Sequence, residues 1–204
     1  MAGRGPVTAG RSSTLDTSSL KMTVFAALMT ALMAAGAYIV LPIGPVPIVL
    51  SNLFVLLAGL LLGPRWGGTA VALYLLLGAV GLPVFSGGGG GIGHLAGPTG
   101  GYLLGYLPAV VVVGVISRLG AATGGSGVGQ RRRPLFDLAA VVSGTAVVYG
   151  CGILWLVAVR AVPLRAALSV GLLPFLPADA LKIAAALPLA RFGRPLIERR
   201  GAWR

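Results

Sequence analysis

Apolar residues in this chain come in long blocks, and the breaks between blocks are made of proline, glycine and arginine. A helix that crosses a bilayer needs about 20 apolar residues, or fewer where it stands upright or the bilayer thins. The first block covers residues 22–41 and ends at the Pro42-Ile43-Gly44-Pro45-Val46-Pro47 stretch. The second, 48–62, stops at Gly63-Pro64-Arg65, and the third, 66–82, stops at Pro83. A run of glycines, Gly87 to Gly91, precedes the fourth block, 99–119. The fifth covers 135–159, and the sixth covers 172–189, with Pro174 and Pro177 near its start. The pattern predicts an all-α membrane protein, a bundle of six transmembrane helices over residues 22–191. Residues 1–21, polar and rich in Gly, Ser and Thr, are expected to form a disordered cytoplasmic tail. Residues 192–204 are expected to form a basic cytoplasmic tail. The first block has no credible cleavage site and is long enough to span, so it reads as a retained helix and not as a signal peptide.

Composition supports lipid as the solvent. Of 204 residues, 56% are hydrophobic and 10% are charged, against about 25% charged in a soluble domain. The only acids are Asp16, Asp137, Asp179 and Glu198, too few to build a water-facing surface. The net charge of +12 raises nucleic acid as a partner, but the basic residues edge the apolar blocks and form no basic-aromatic stripe. They read instead as topology signals and as contacts to anionic membrane lipid. Arg4, Arg11, Lys21, Arg65, Arg118, Arg131 to Arg133, Arg191, Arg194, Arg199, Arg200 and Arg204 all fall on one side of a six-span chain. Only Arg160 and Arg165 fall on the other. This bias puts both termini in the cytoplasm and gathers loop one, the glycine run and the Pro174 region at the outer face. Irregular backbone near membrane depth persists only where protein buries it or it lines a cavity, so an outward-facing pocket is expected there. Cys151 is the single cysteine and lies in a span, which excludes an internal disulfide; no metal-ligand framework is present in the sequence.

Asp179 and Lys182 carry the sharpest chemical signal. They sit three residues apart on the sixth span and share a helix face. Ionisable groups inside spans are costly and mark functional sites by default. The pair either contacts a ligand or neutralises itself and orients the helix. The glycine run is a flexible linker, a phosphate cradle or a lid; the lack of a Gly-x-x-x-x-Gly-Lys-Ser/Thr motif argues against phosphate, the tight spacing of the flanking spans argues against a linker, and the lid is preferred. Thr99, Gly101 and Tyr102 lie in the segment from Gly97 to Tyr106, where Gly97, Gly101 and Gly105 have the small-xxx-small spacing of close helix contact. Ser51 and Asn52 either cap the second span, bond between helices or meet ligand, and Trp155 either anchors at the interface or lines the pocket. The lone His94 reads as a structural hydrogen-bonding group. Ala27, Ala31 and Ala35 recur every fourth residue and form a smooth stripe for a helix of this chain or of a partner.

These residues resemble the BioY family, the biotin-specific substrate-binding (S) components of energy-coupling factor transporters. The resemblance rests on Gly81-Leu82-Pro83-Val84-Phe85, the glycine run, Gly97-Pro98-Thr99-Gly100-Gly101-Tyr102-Leu103, Gly63-Pro64-Arg65 and the stretch Pro174-Phe175-Leu176-Pro177-Ala178-Asp179-x-x-Lys182. It covers residues 22 to 190. It implies a multi-pass protein of the bacterial plasma membrane that captures biotin from outside. It also implies work with a transmembrane T component and ATP-binding A components, and no catalysis or cofactor of its own. Asp179 and Lys182 match the family's polar biotin-binding positions, with Asp179 toward the ureido ring and Lys182 toward the valerate carboxylate. Tyr102, Gly101, Thr99, Phe85, Asn52 and Trp155 complete the expected site. The stripe Ala27, Ala31, Ala35 matches the surface that docks the T component. One departure is that Val49, Leu50 and Ser51 stand where the family often has Thr-Leu-Gln. The competing readings are a solitary facilitator, an S component for another small vitamin, and an intramembrane enzyme using Asp179, which lacks a second acid and a nucleophile–base pair.

Overall fold

The computed structural model describes residues 17–41, 48–122 and 127–198. The expected disordered tail therefore lies largely outside the described residues, as do the loop-one prolines and the last six residues. The first helix, α1 (Thr17–Tyr38), begins ahead of the expected boundary at Met22. It buries Met22, Ala26, Met29, Met33 and Ala37, one stripe at three- and four-residue spacing. Two short antiparallel strands, β1 (Val40–Leu41) and β2 (Ile48–Val49), frame loop one and pair Val40 with Val49 and Leu41 with Ile48.

The next helix, α2 (Ser51–Ala79), contains both the second and third apolar blocks. It is broken at Gly63, where φ is 75° and ψ is −174°, a conformation that a side chain would strain. Pro64 follows and cannot donate to the preceding turn. The two arms double back on each other: a Cβ added at Gly67 would lie 2.9 Å from the Ala58 carbonyl oxygen. A continuous helix would hold those residues about 13 Å apart. The arms are short, roughly 18 Å and 24 Å at 1.5 Å per residue. The Thr30 hydroxyl lies 2.9 Å from the Ala70 carbonyl and ties α1 to the second arm.

A single 3-10 turn (Ser86–Gly88) and a one-turn helix, α3 (Ile92–Ala96), lead into α4 (Gly100–Ala122). α4 packs chiefly on α5 (Gly127–Arg160) and on α2. The last part is bent: α6 (Leu164–Gly171) meets α7 (Leu176–Glu198) at 52°. The sequence reading had only a loop before Leu172. Pro163 precedes α6 and fits the N-terminal position where its missing N–H is harmless. α7 also continues past 191 to Glu198, so Arg194 belongs to the bundle and not to a tail. Among the described residues, four helices are long and apolar enough to cross a membrane, or five if α6 and α7 make one broken span. The chain is a multi-pass, all-α membrane protein.

Candidate functional site

The site lies where the irregular segments meet. A cavity, with about 60 Å³ available to the centres of water-sized molecules, is lined by five parts of the chain. The start of α2 gives Ser51 and Asn52, the segment before α4 gives Ser86, His94 and Thr99, and α4 gives Tyr102 and Tyr106. α5 gives Tyr149, and the α6–α7 junction gives Phe175, Asp179 and Lys182. The α6–α7 bend is what carries Asp179 inward: it falls in the first turn of α7, its backbone N–H donating to the Phe175 carbonyl at 2.8 Å. A carboxylate there also meets the partial positive charge of the helix N-terminus.

Asp179 and Lys182 are both buried, at 5% and 8% exposure, so each needs a partner. Lys182 Nζ donates to Asp179 Oδ1 at 2.9 Å. The Tyr149 hydroxyl donates to Asp179 Oδ2, so each carboxylate oxygen is engaged and the side chain is fixed from two helices. Tyr149 meets the ring of Tyr102 at 90° and that of Phe175 at 64°, both with centroids 6.3 Å apart. Such edge-on pairs hold an aromatic wall in place. Tyr102 is held in turn by its hydroxyl, which donates to the Gly171 carbonyl at 3.0 Å. Ser51 and Tyr106 share a hydroxyl–hydroxyl contact of 3.3 Å.

Polar capacity is left over at this cavity. Asn52 Oδ1 and His94 Nε2 are buried and have no hydrogen-bond partner within the protein. Buried polar groups left unpaired cost about 1–3 kcal/mol each, and a bound polar ligand would remove that cost. The wall therefore combines aromatic faces, a fixed carboxylate, an ammonium and unmatched polar atoms. It suits a small, partly apolar molecule with N–H donors and an anionic group.

The expected site residues divide into two groups. Asp179, Lys182, Tyr102, Thr99 and Asn52 line the cavity. Gly101, Trp155 and Phe85 do not; they stand behind it. A Cβ at Gly101 would collide with Trp155, whose Nε1 donates to the Gly97 carbonyl at 2.9 Å and pins the entry to α4. Phe85 is fully buried, edge-on to Tyr74 and seated over Gly78, where any side chain would displace it. It anchors the glycine segment, which is also tied down by Gly91 N–H to the Gly78 carbonyl at 2.6 Å. Ser86 and His94, at the two ends of that segment, reach the cavity, while the glycines between them do not line it. Tyr149, Tyr106 and Phe175 also line the cavity and carry no site role in the sequence analysis, while Ser51, weighed there beside Asn52, lines it too. Tyr102 and Tyr106 at i, i+4 on one helix give a usable signal. Tyr149, in an unbroken apolar run on another helix, gives none.

The stripe of Ala27, Ala31 and Ala35 is exposed along the outside of α1, opposite the buried methionines. Among the described residues, nothing covers it.

A second polar cluster lies at the other end of the bundle. Arg194 on α7 grips Asp137 on α5 with two bonds of 2.6 Å, and Ser117 on α4 donates to Asp137 Oδ1 at 3.0 Å. All three are buried.

Comparison with known proteins gives one answer. The profile described as the BioY family matches residues 10–199. A protein of Thermotoga maritima named "Biotin transporter BioY" is 36% identical over 181 residues, 88% of this chain and all of the relative. "Probable biotin transporter BioY" of Pyrococcus horikoshii is 41% identical over 164 residues, covering 80% and 90% of the two chains. A crystal structure of "the S-component for biotin from an ECF-type ABC transporter" superposes with a TM-score of 0.76 at 31% identity, covering 88% of this chain and 93% of that one. With a match of this extent, a fold shared along nearly the whole length and a polar cavity at the bend that carries Asp179, the chain belongs to the BioY family.

Proposed function

We propose that this chain is the biotin-binding membrane subunit of a vitamin uptake transporter. It takes biotin from outside and hands it to a module of a T component and ATP-binding A components. The observation that carries the reading is the buried Asp179–Lys182 pair, fixed by Tyr149, inside an aromatic cavity with unmatched polar atoms. Biotin offers ureido N–H groups to a carboxylate and a valerate carboxylate to an ammonium. Its bicyclic ring and chain offer apolar area to Tyr102, Tyr149 and Phe175. The glycine segment, anchored by Phe85 and ending in Ser86 and His94, forms a lid over this cavity.

The chain crosses the membrane six times in this reading. The two arms of α2 each cross, turning at Gly63 beside Arg65, and α6 with α7 makes the sixth crossing. Both termini then lie in the cytoplasm, together with most of the arginines. The arms of α2 fall short of the roughly 30 Å hydrocarbon core, and local bilayer thinning or flanking residues accommodate that.

Transport by ATP hydrolysis requires docking, and the exposed alanine stripe supports the T component as the partner. Small side chains let a foreign helix approach closely. Ala31→Trp should abolish co-purification with the T component and ATP-driven uptake while leaving biotin binding by the isolated chain intact. The paired measurement is biotin affinity of the variant alone and its recovery with the T component. Normal assembly of the variant would remove the stripe from the docking role, and uptake by the isolated chain would favour a solitary facilitator.

A further inference from the structure

His94 is the single histidine of the chain, and it stands on α3, directly after the glycine run. Its ring is held from several sides. The backbone N–H of His94 donates to the Gly91 carbonyl at 3.0 Å. The imidazole lies against Phe85, with centroids 5.4 Å apart and planes inclined by 32°. It fills the space over Gly89, where an added Cβ would stand 2.5 Å from Nδ1 and Cε1. Gly89 has extended backbone, φ −70° and ψ 160°, which any residue could adopt. The glycine there makes room for the imidazole and does not serve the turn. His94 lines the cavity of Asp179, and its Nε2 is buried without a hydrogen-bond partner within the protein. Among the described residues lining this cavity, Asn52 Oδ1 and the Tyr74 hydroxyl are also buried without a partner, but both belong to α2. His94 brings its unmatched atom from the glycine segment. A fixed polar atom left unpaired in a cavity is costly until a ligand completes it.

The cavity's donors from α4, α5 and α7 are already committed. Tyr149 donates to Asp179, and Tyr102 donates to the Gly171 carbonyl. Lys182 is engaged with Asp179 and, in the biotin reading, with the valerate carboxylate. The ureido ring offers two N–H groups, which suit Asp179, and one carbonyl oxygen, which none of these donors serves. Resting on that reading, we infer that His94 is a specificity-determining contact whose Nε2–H donates to the ureido carbonyl oxygen. A neutral imidazole carries one N–H, so the tautomer in the complex is the one protonated at Nε2. Because His94 closes the glycine segment, the same bond draws that segment over the ligand, and closure depends on recognising the ureido group. A site built to hydrogen-bond one ligand atom discriminates against an analogue that lacks it.

The test titrates the purified full chain, free of any histidine tag, with biotin and with thiobiotin, whose ureido oxygen is replaced by sulfur, a weak acceptor. Wild-type protein should prefer biotin by about tenfold. His94→Phe keeps a ring against Phe85 and removes the donor. It should weaken biotin by about tenfold and leave thiobiotin unchanged, so that the preference disappears. An equal loss for both ligands would assign His94 to packing alone and overturn the inference, as would an unchanged preference. Wild-type protein that binds no biotin would instead overturn the biotin reading on which the inference rests. A second measurement needs no variant. With one histidine in the chain, isotope labelling of histidine nitrogen gives a single imidazole to follow by nuclear magnetic resonance. Saturating biotin should shift the Nε2 resonance and hold its proton, and thiobiotin should shift it less. A resonance that biotin leaves in place, or an Nε2 without its proton in the complex, would overturn the inference.

Discussion

Lys182→Met is expected to weaken biotin far more than biotinamide, the analogue without the carboxylate. Lys182 Nζ sits 2.9 Å from Asp179 Oδ1 in a buried site, so its removal has two consequences. It takes away the cation that would hold the valerate carboxylate. It also leaves Asp179 charged with Tyr149 as its remaining side-chain partner. Truncating one member of a desolvated charge pair costs roughly 2–5 kcal/mol, about thirtyfold to a few thousandfold in affinity. The damage to Asp179 falls on both ligands, whereas the lost carboxylate contact falls on biotin alone. The difference between the two affinities, measured on the same purified variant, isolates the carboxylate role. Equal losses would mean that Lys182 acts only by holding Asp179 in place.

The second large effect is on stability. Asp137→Ala should destabilise the protein by roughly 3–5 kcal/mol, because it leaves the Arg194 guanidinium buried without its counter-charge. The pair is bidentate, at 2.6 Å on each arm, and 2% and 7% exposed at its two residues. Through Ser117 it joins α4, α5 and α7. Replacing both members, as Asp137→Leu with Arg194→Met, should recover most of the loss, since no unpaired charge then remains. The thermal midpoints of the two proteins in one detergent decide the point. An Asp137→Ala midpoint equal to wild type would show that the pair contributes nothing net.

The sequence made the helical membrane class legible because lipid leaves a coarse signal: long apolar blocks with prolines, glycines and arginines between them. The polar groups of the main cavity were legible for a related reason. An aspartate and a lysine three residues apart in an apolar block have no inexpensive explanation, and the structure buries both against one cavity. Tyr149 was not legible, because a tyrosine in an apolar helix is compatible with core, interface or site, and only the packing of α5 on α7 selects it. Phe85, Gly101 and Trp155 were singled out by their local pattern, but that pattern records how the glycine segment and the start of α4 are packed, not which side chains face the cavity. The Asp137–Arg194 pair was missed because its members are 57 residues apart and each lay among basic residues at a block edge. Gly63 shows the limit of block lengths. The sequence placed a loop between two spans, and the structure makes one broken helix whose arms fold together about that single residue.

The most direct test of the central claim is a titration of the purified, detergent-solubilised full chain with biotin, followed by calorimetry and by recovery of the ligand. Saturable binding of one biotin per chain is expected, with the biotin recovered chemically unchanged and the heat lost in Asp179→Ala. The absence of binding at saturating biotin, or the conversion of biotin to another compound, would contradict the assignment of this chain as a biotin-binding transport subunit.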